Sequence, residues 1–202
     1  MDNVINSWKN DNVFKKQLEL NLKELSSENN YPSHWRAFLA LLRQFKPKSM
    51  LDVGCGCGAY YALCNKEFPN MTYTGADYST EAIDLAKKYW SYTGFIAKNY
   101  LDLTKDYVSN FDLIHLGALL DVLPNGDEAL EFILSLEPKS VLIGRMKLTN
   151  KPSYYETYTA YDEITTCAYH HNRDVFTQLC DKYGYEITSI ENNFYLKKKI
   201  ND

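Results

Sequence analysis

The stretch from Leu51 to Gly58 reads LDVGCGCG and is the part of the sequence best suited to bind a ligand. Glycine lacks a Cβ atom, so it adopts positive φ angles and lets a ligand approach the backbone closely. An apolar run precedes the glycines and a helical pattern follows them, so the turn should end a strand and begin a helix. The N–H groups at such a helix start are free to bind polar ligand groups. The stretch therefore predicts a small-molecule binding loop.

Two classes of ligand fit this loop. A dinucleotide is bound by Gly-x-Gly-x-x-Gly/Ala, which Gly54, Gly56 and Ala59 satisfy. The loop also resembles the first motif of class I S-adenosylmethionine-dependent methyltransferases, apolar-apolar-Asp-x-Gly-x-Gly-x-Gly. A carboxylate at Asp52 suits a ligand that carries an ammonium and a sulfonium group, and it would lie poorly beside a pyrophosphate. The resemblance therefore favours S-adenosylmethionine over a dinucleotide.

Further residues at predicted strand ends extend this resemblance over residues 49 to about 145. Asp77 follows the second strand, where a carboxylate can accept both ribose hydroxyls of either ligand class, and Tyr78 is placed to pack on the adenine. Residues 111–116 read FDLIHL and are similar to the family's Phe-Asp-Leu-Ile motif. The family's adenine contacts follow the third strand, as Asp102 does here. The resemblance implies S-adenosylmethionine as cofactor and S-adenosylhomocysteine as product. It implies these cofactor-binding residues: Asp52, Gly54, Cys55, Gly56, Gly58, Asp77, Tyr78, Asp102, Leu103, His115 and Leu116.

Three side chains are candidates for a catalytic base. Methyl transfer is an in-line displacement that depends on alignment, and a hydroxyl acceptor also needs a group that takes its proton. His115 and Asp121 follow the fourth strand, and His170 lies in a histidine pair near the end of a long connection. A surface charge at Asp121 and a structural role for the histidine pair remain alternatives. We expect no metal site, because the nearby aspartates are too dispersed in sequence to predict a Mg²⁺ cluster.

The segment 152–171 is rich in tyrosine and precedes the last predicted helix. Tyrosine offers a flat face with a hydroxyl at its rim, which suits sugars and similar polar acceptors. The alternative is a β-rich cover that packs on the sheet. The pattern formed by Tyr169, Asn172, Arg173 and Phe176 resembles aromatic-x-x-Asn-Arg-x-x-Phe in methyltransferases associated with polysaccharide synthesis. This resemblance implies a carbohydrate hydroxyl as acceptor and identifies no catalytic residue.

The elements that must position these residues alternate between short apolar runs and helical patterns. This alternation, closed by a hairpin over residues 185–198, predicts a Rossmann-like three-layer α/β/α sandwich. Its sheet should be seven-stranded and mostly parallel, with a C-terminal antiparallel hairpin. Residues 1–30 should form a helical extension, with an amphipathic pattern over residues 3–25, and residues 31–202 the methyltransferase domain.

Composition limits the possible partners. The formal net charge is −4, with 22 basic and 26 acidic residues, so we expect no nucleic-acid partner. No apolar run reaches the ~20 residues that a membrane span needs. The five cysteines include no Cys-x-x-Cys pair, which favours reduced thiols in the cytoplasm. The sequence carries no signal for an oligomeric state, and an NAD(P)-dependent oxidoreductase or a non-catalytic binding module remains an alternative function.

Overall fold

The computed structural model describes residues 8–9, 11–27, 30–162 and 164–199. The amphipathic pattern predicted over residues 3–25 begins outside the described residues, and its described part forms a helix from Asp11 to Leu25. The helices in chain order are α1 Asp11–Leu25, α2 Ser33–Phe45, α3 Ala59–Glu67, α4 Thr80–Trp90, α5 Lys105–Val108, α6 Gly126–Ser135 and α7 Arg173–Lys182. The strands are β1 Ser49–Val53, β2 Thr72–Asp77, β3 Phe95–Ala97, β4 Leu113–Leu116, β5 Ser140–Ile143, β6 Lys147–Thr149, β7 Tyr154–Ala160, β8 Ile164–Asn172, β9 Tyr185–Ile190 and β10 Asn193–Lys198.

Seven strands form the main sheet in the order β3-β2-β1-β4-β5-β10-β9. β1 to β5 run parallel, whereas β10 pairs antiparallel with both β5 and β9. The order reverses direction between β1 and β4, and ligands of open α/β sheets bind beyond the carboxyl ends of the strands at such a point. The predicted fold class is confirmed, including the mostly parallel sheet and the antiparallel C-terminal hairpin.

Alternating side chains on the buried strands pack against two helical layers. On β1, Leu51 and Val53 join the core under α6 and α7, whereas Met50 joins the core under α2, α3 and α4. This alternation follows from the two-residue period of a strand, and it makes both faces of the sheet apolar. Consequently, each residue at a strand tip points either into one helical layer or into the other.

A second sheet, with the order β6-β8-β7, covers the carboxyl edge of the main sheet. β7 and β8 pair antiparallel through seven residue pairs, from Tyr154 with His170 to Ala160 with Ile164. The tyrosine-rich segment is thus a β-hairpin. Val13 of α1 packs against the tip of this hairpin, so the hairpin and α1 together form the roof above the strand ends.

Candidate cofactor and acceptor site

The main cavity, of about 470 Å³, lies beyond the carboxyl ends of β1, β2 and β4. Its floor includes Gly54, Gly56 and Asp77, and its side walls include Asn99 and Leu119. Its roof comes from α1 and from the hairpin β7–β8. The cavity therefore lies at the reversal point of the sheet, between the Rossmann-like domain and its cover.

The glycine loop has the strained backbone that only glycine adopts readily. The φ angles of Gly54, Gly56 and Gly58 are +77°, +51° and +82°. A Cβ on Gly56 would lie 2.7 Å from Gln17 Oε1 at the cavity, whereas one on Gly58 would lie 2.7 Å from Phe95 Cζ in the core. Gly56 thus leaves room for a ligand at the cavity, and Gly58 leaves room for the packing of the domain.

Asp77 connects the end of β2 to the glycine loop. Its Oδ2 accepts the N–H of Gly56 and its Oδ1 accepts the N–H of Ser79, both at 2.9 Å. Burial raises the pKa of Asp77, and the two backbone N–H groups oppose that rise. The side chain also lines the main cavity, and its ribose-binding role stays a prediction.

Asp52 and His115 lie inside the core and not on the wall of the main cavity. Asp52 Oδ2 accepts the hydroxyl of Tyr73 at 2.6 Å, and its Oδ1 lies 2.7 Å from His115 Nδ1. Both residues are almost fully buried, with 1% and 0% of their surfaces exposed. The rings of Phe38 and Tyr60 pack on the imidazole of His115, with distances of 4.7 and 4.3 Å between ring centroids. Asp52 and His115 share the strand face of Met50, which points into the α2–α4 layer, and neither of them lines the main cavity.

The residues that line the cavity after β3 come earlier in the chain than the predicted adenine contacts. Asp102 is exposed and Leu103 is buried in the core, and neither lines the main cavity. Lys98, Asn99 and Tyr100, immediately after β3, line it instead. Tyr78 lies on the wall of the main cavity. Cys55, Gly58 and Leu116 are buried and do not line this cavity. The segment after β3 therefore lines the cavity through residues that precede Asp102, and its role toward the adenine stays a prediction.

A second cavity of about 550 Å³ adjoins the main one and shares Arg145 and Tyr158 with it. Asp121 lies on its wall, 7% exposed, with Oδ2 3.4 Å from Arg145 Nε. Burial raises the pKa of Asp121, and Arg145 partly offsets this. Among the described residues, Asp121 Oδ1 has no hydrogen-bond partner, and neither has the side-chain amide of Asn193, which is 1% exposed and lines the same cavity. A polar ligand could satisfy these atoms.

His34 and Arg145 are site residues that the sequence did not reveal. His34 lies on the wall of the second cavity, and its pKa is lowered to about 4 by burial and by the charge of Arg145. Arg145 follows β5 with a φ angle of +59°, which directs it back over the strand ends. His170, by contrast, stacks on Tyr154 at 4.6 Å and lines neither cavity. Of the three predicted bases, Asp121 lines one of these two cavities, and His115 and His170 line neither.

The main cavity has features that fit a nucleoside with a charged tail. Gly54 and Gly56 leave a cradle that a Cβ would fill, and Asp77 offers acceptor oxygens beside it. The buried Oε1 of Gln17 points over the same loop without a partner in the described part of the chain. No group of three metal-ligating side chains was found within the described ranges. None of the helices described is long and apolar enough to cross a membrane.

A family model described as "Methyltransferase domain" matches residues 26–190. This match extends over most of the chain. The chain belongs to this methyltransferase family. The assignment decides between the two ligand classes that the glycine loop allowed, and S-adenosylmethionine is the cofactor.

Solved structures of methyltransferases share the fold. A methyltransferase from Methanosarcina mazei is 17% identical, with a TM-score of 0.61, over 80% of this chain and 98% of that one. Human N-acetylserotonin methyltransferase in complex with S-adenosylmethionine is 17% identical, with a TM-score of 0.59, over 82% of this chain and 51% of that one. A sugar N-methyltransferase from Streptoalloteichus is 10% identical, with a TM-score of 0.58, over 90% of this chain and 93% of that one. At these low sequence identities, the similarity to the three structures shows a shared fold and nothing more.

Proposed function

We propose that this methyltransferase transfers a methyl group from S-adenosylmethionine to a hydroxyl of a sugar or of another small polar acceptor. One observation carries the proposal: the buried carboxylate of Asp121 faces a polar cavity that shares Arg145 and Tyr158 with the main cavity. A candidate base and a candidate acceptor chamber thus adjoin the cavity over the glycine loop. We also expect a reducing, cytoplasmic compartment, since all five cysteines are buried and free.

In the main cavity, this chain's residues bind and orient the cofactor, which supplies a sulfonium-activated methyl group when bound. Gly54 and Gly56 allow close backbone approach, and Asp77 accepts hydrogen bonds from the ribose hydroxyls. Tyr78, Asn99 and Tyr100, which line the cavity, would hold the adenine. The roof of α1 and the hairpin β7–β8 excludes water, which strengthens the polar contacts beneath it.

Asp121 takes the proton of the acceptor hydroxyl at its unpartnered Oδ1. Burial raises the pKa of its carboxyl group, so the carboxylate is a stronger base than one in water. The guanidinium of Arg145, whose Nε lies 3.4 Å from the other oxygen, favours the ionised form of the carboxyl group. Asn193 offers both a donor and an acceptor to a neighbouring hydroxyl of the acceptor. His115 and His170, which line neither cavity, then have structural roles.

The aromatic and polar lining of the second cavity supports a carbohydrate-like acceptor. Tyr158 provides a flat apolar face, and the charged side chains around it are of both signs, including Lys147 and Glu156. A sugar ring combines apolar C–H faces with hydroxyl edges, so it matches this mixture. The similar fold of a sugar N-methyltransferase adds support for a sugar, although that protein's acceptor atom is nitrogen.

The test is a methyl-transfer assay over a panel of sugars, sugar acids, amino sugars and small alcohols. Formation of S-adenosylhomocysteine and a mass gain of one methyl group on a hydroxyl would support the proposal. Asp121→Asn should lose at least about 100-fold in kcat while cofactor affinity is kept, since a general base contributes roughly 10²–10⁴-fold. Methylation of amines alone, or tight cofactor binding without turnover on any acceptor, would contradict it.

A further inference from the structure

Gln17 lies on α1, before the family-matched residues 26–190, yet its side chain lines the main cavity. Its Oε1 is buried and has no hydrogen-bond partner among the described residues. Buried acceptors in native proteins are almost always paired, so an orphaned oxygen in a ligand cavity indicates a donor that the ligand supplies.

The orientation of the Gln17 amide follows from its neighbour on the hairpin. The phenol of Tyr161 is hydrogen-bonded to the Gln17 side chain. Because Oε1 is unpartnered, the amide nitrogen makes that bond. The oxygen then faces the glycine loop, 2.7 Å from the position that a Cβ on Gly56 would occupy.

Packing on two sides holds α1 in this position. Phe14 and Leu18 pack with Cys57 and Ala82 of the Rossmann-like domain. On the other side, Val13 packs with the hairpin residues Ala160 and Ile164. The helix thus spans the cavity between domain and cover, and Gln17 lies on its cavity side.

Asp52, the acidic residue of the glycine motif, has no oxygen left for the ligand's cationic end, and Gln17 can supply an acceptor instead. The resemblance to the family assigned the ligand's cationic end to Asp52, but Tyr73 and His115 occupy both of its oxygens within the core. Asp77 is placed for the ribose. Within the described ranges, Gln17 Oε1 is a buried side-chain acceptor that remains unpartnered above the loop.

We propose that Gln17 Oε1 accepts a hydrogen bond from the α-ammonium group of S-adenosylmethionine, so that helix α1 completes the cofactor site. An ammonium carries three donors and no acceptor, which matches an isolated carbonyl oxygen. The inference rests on the cofactor of the proposed function and is independent of the acceptor.

The test compares two ligands by calorimetry: S-adenosylhomocysteine, and 5′-methylthioadenosine, which keeps the nucleoside and lacks the amino-acid tail. Gln17→Met should weaken S-adenosylhomocysteine binding about tenfold or more, as expected for a lost hydrogen bond to a charged group, and leave methylthioadenosine binding unchanged. Gln17→Glu keeps an acceptor and should bind S-adenosylhomocysteine at least as tightly as the natural chain. Gln44→Met, the same change on the exposed face of α2, is the matched control and should affect neither ligand.

An equal loss for both ligands would overturn the inference, because it would indicate a structural role for Gln17 or a contact with the ribose. No loss for either ligand would overturn it as well. If the natural chain binds no S-adenosylhomocysteine, both this inference and the cofactor site fail. If it binds the cofactor normally but methylates no hydroxyl, only the acceptor half of the proposed function fails.

Discussion

Gly56 and Gly58 belong to one motif and share a positive φ, yet the structure predicts different consequences of replacing them with alanine. An alanine in this backbone region costs roughly 1–2 kcal/mol at either position. At Gly58 the new Cβ would lie 2.7 Å from Phe95 Cζ and 3.0 Å from Trp90 Nε1, both part of the packed core. Overpacking of this kind adds about 1–3 kcal/mol. At Gly56 the nearest atom is the movable end of Gln17, so the strain of the backbone dominates.

Gly56→Ala should therefore lower the free energy of unfolding by about 1–2 kcal/mol, and Gly58→Ala by about 2–5 kcal/mol. Cofactor binding should show the opposite ranking, with the larger loss of affinity in Gly56→Ala. The methyl group of Gly56→Ala projects into the main cavity, and we expect S-adenosylhomocysteine to bind at least about tenfold more weakly, a change of 1.4 kcal/mol. Urea denaturation and calorimetry measure the two quantities. Equal stability of the two variants, or natural affinity in Gly56→Ala, would refute this interpretation of the loop.

Three further predictions test other parts of the site. Because burial raises the pKa of Asp121, ionisation of its carboxyl group destabilises the natural chain as pH rises from about 4 through that raised pKa. Over this pH range, Asp121→Asn should become more stable relative to the natural chain, as measured by urea unfolding. A difference in unfolding free energy between the two chains that does not change with pH would contradict this. Burial lowers the pKa of His34 to about 4, so the natural chain should lose stability as pH falls from about 6.5. His34→Gln should therefore show a smaller drop in Tm between pH 7 and pH 5 than the natural chain does. An identical drop in the two chains would count against a buried, neutral imidazole at His34. Tyr73→Phe removes the 2.6 Å bond to Asp52 and should cost about 1–3 kcal/mol of unfolding free energy, with less than about twofold change in S-adenosylhomocysteine affinity; a large loss of affinity would show that Asp52 serves the ligand.

Local patterns in the sequence were sufficient to predict the sheet and the glycine loop. The run at residues 49–53 is mostly apolar and is followed by alternate glycines, so strand, turn and helix could be placed together. Ser79 and Asn172 cap the helices that follow them, accepting the N–H groups of Ala82 and Val175 as their residue types predict. These signals lie within a few residues of the structure that they determine.

The positions of the acceptor-side residues depend on contacts between distant parts of the chain. The positions of Asp52 and His115 near strand tips predict accessible side chains, but the face on which each points is set by which helices cover the sheet. His34 lies on a helix that precedes the sheet in the chain. Arg145 reaches the cavities because its own φ angle is positive, and no sequence motif predicts that angle. The hairpin from Tyr154 to Asn172 has weak periodicity because it covers a cavity, and five of the seven residues of β7 are exposed.

The central claim is that the cavity over the glycine loop binds S-adenosylmethionine through Asp77 and the loop backbone. A crystal structure with S-adenosylhomocysteine tests it most directly. We predict that the nucleoside lies in the main cavity, with its ribose hydroxyls on Asp77 and its adenine beside Asn99 and Tyr100. A cavity that stays empty at saturating ligand, or a nucleoside bound elsewhere on the chain, would contradict the claim.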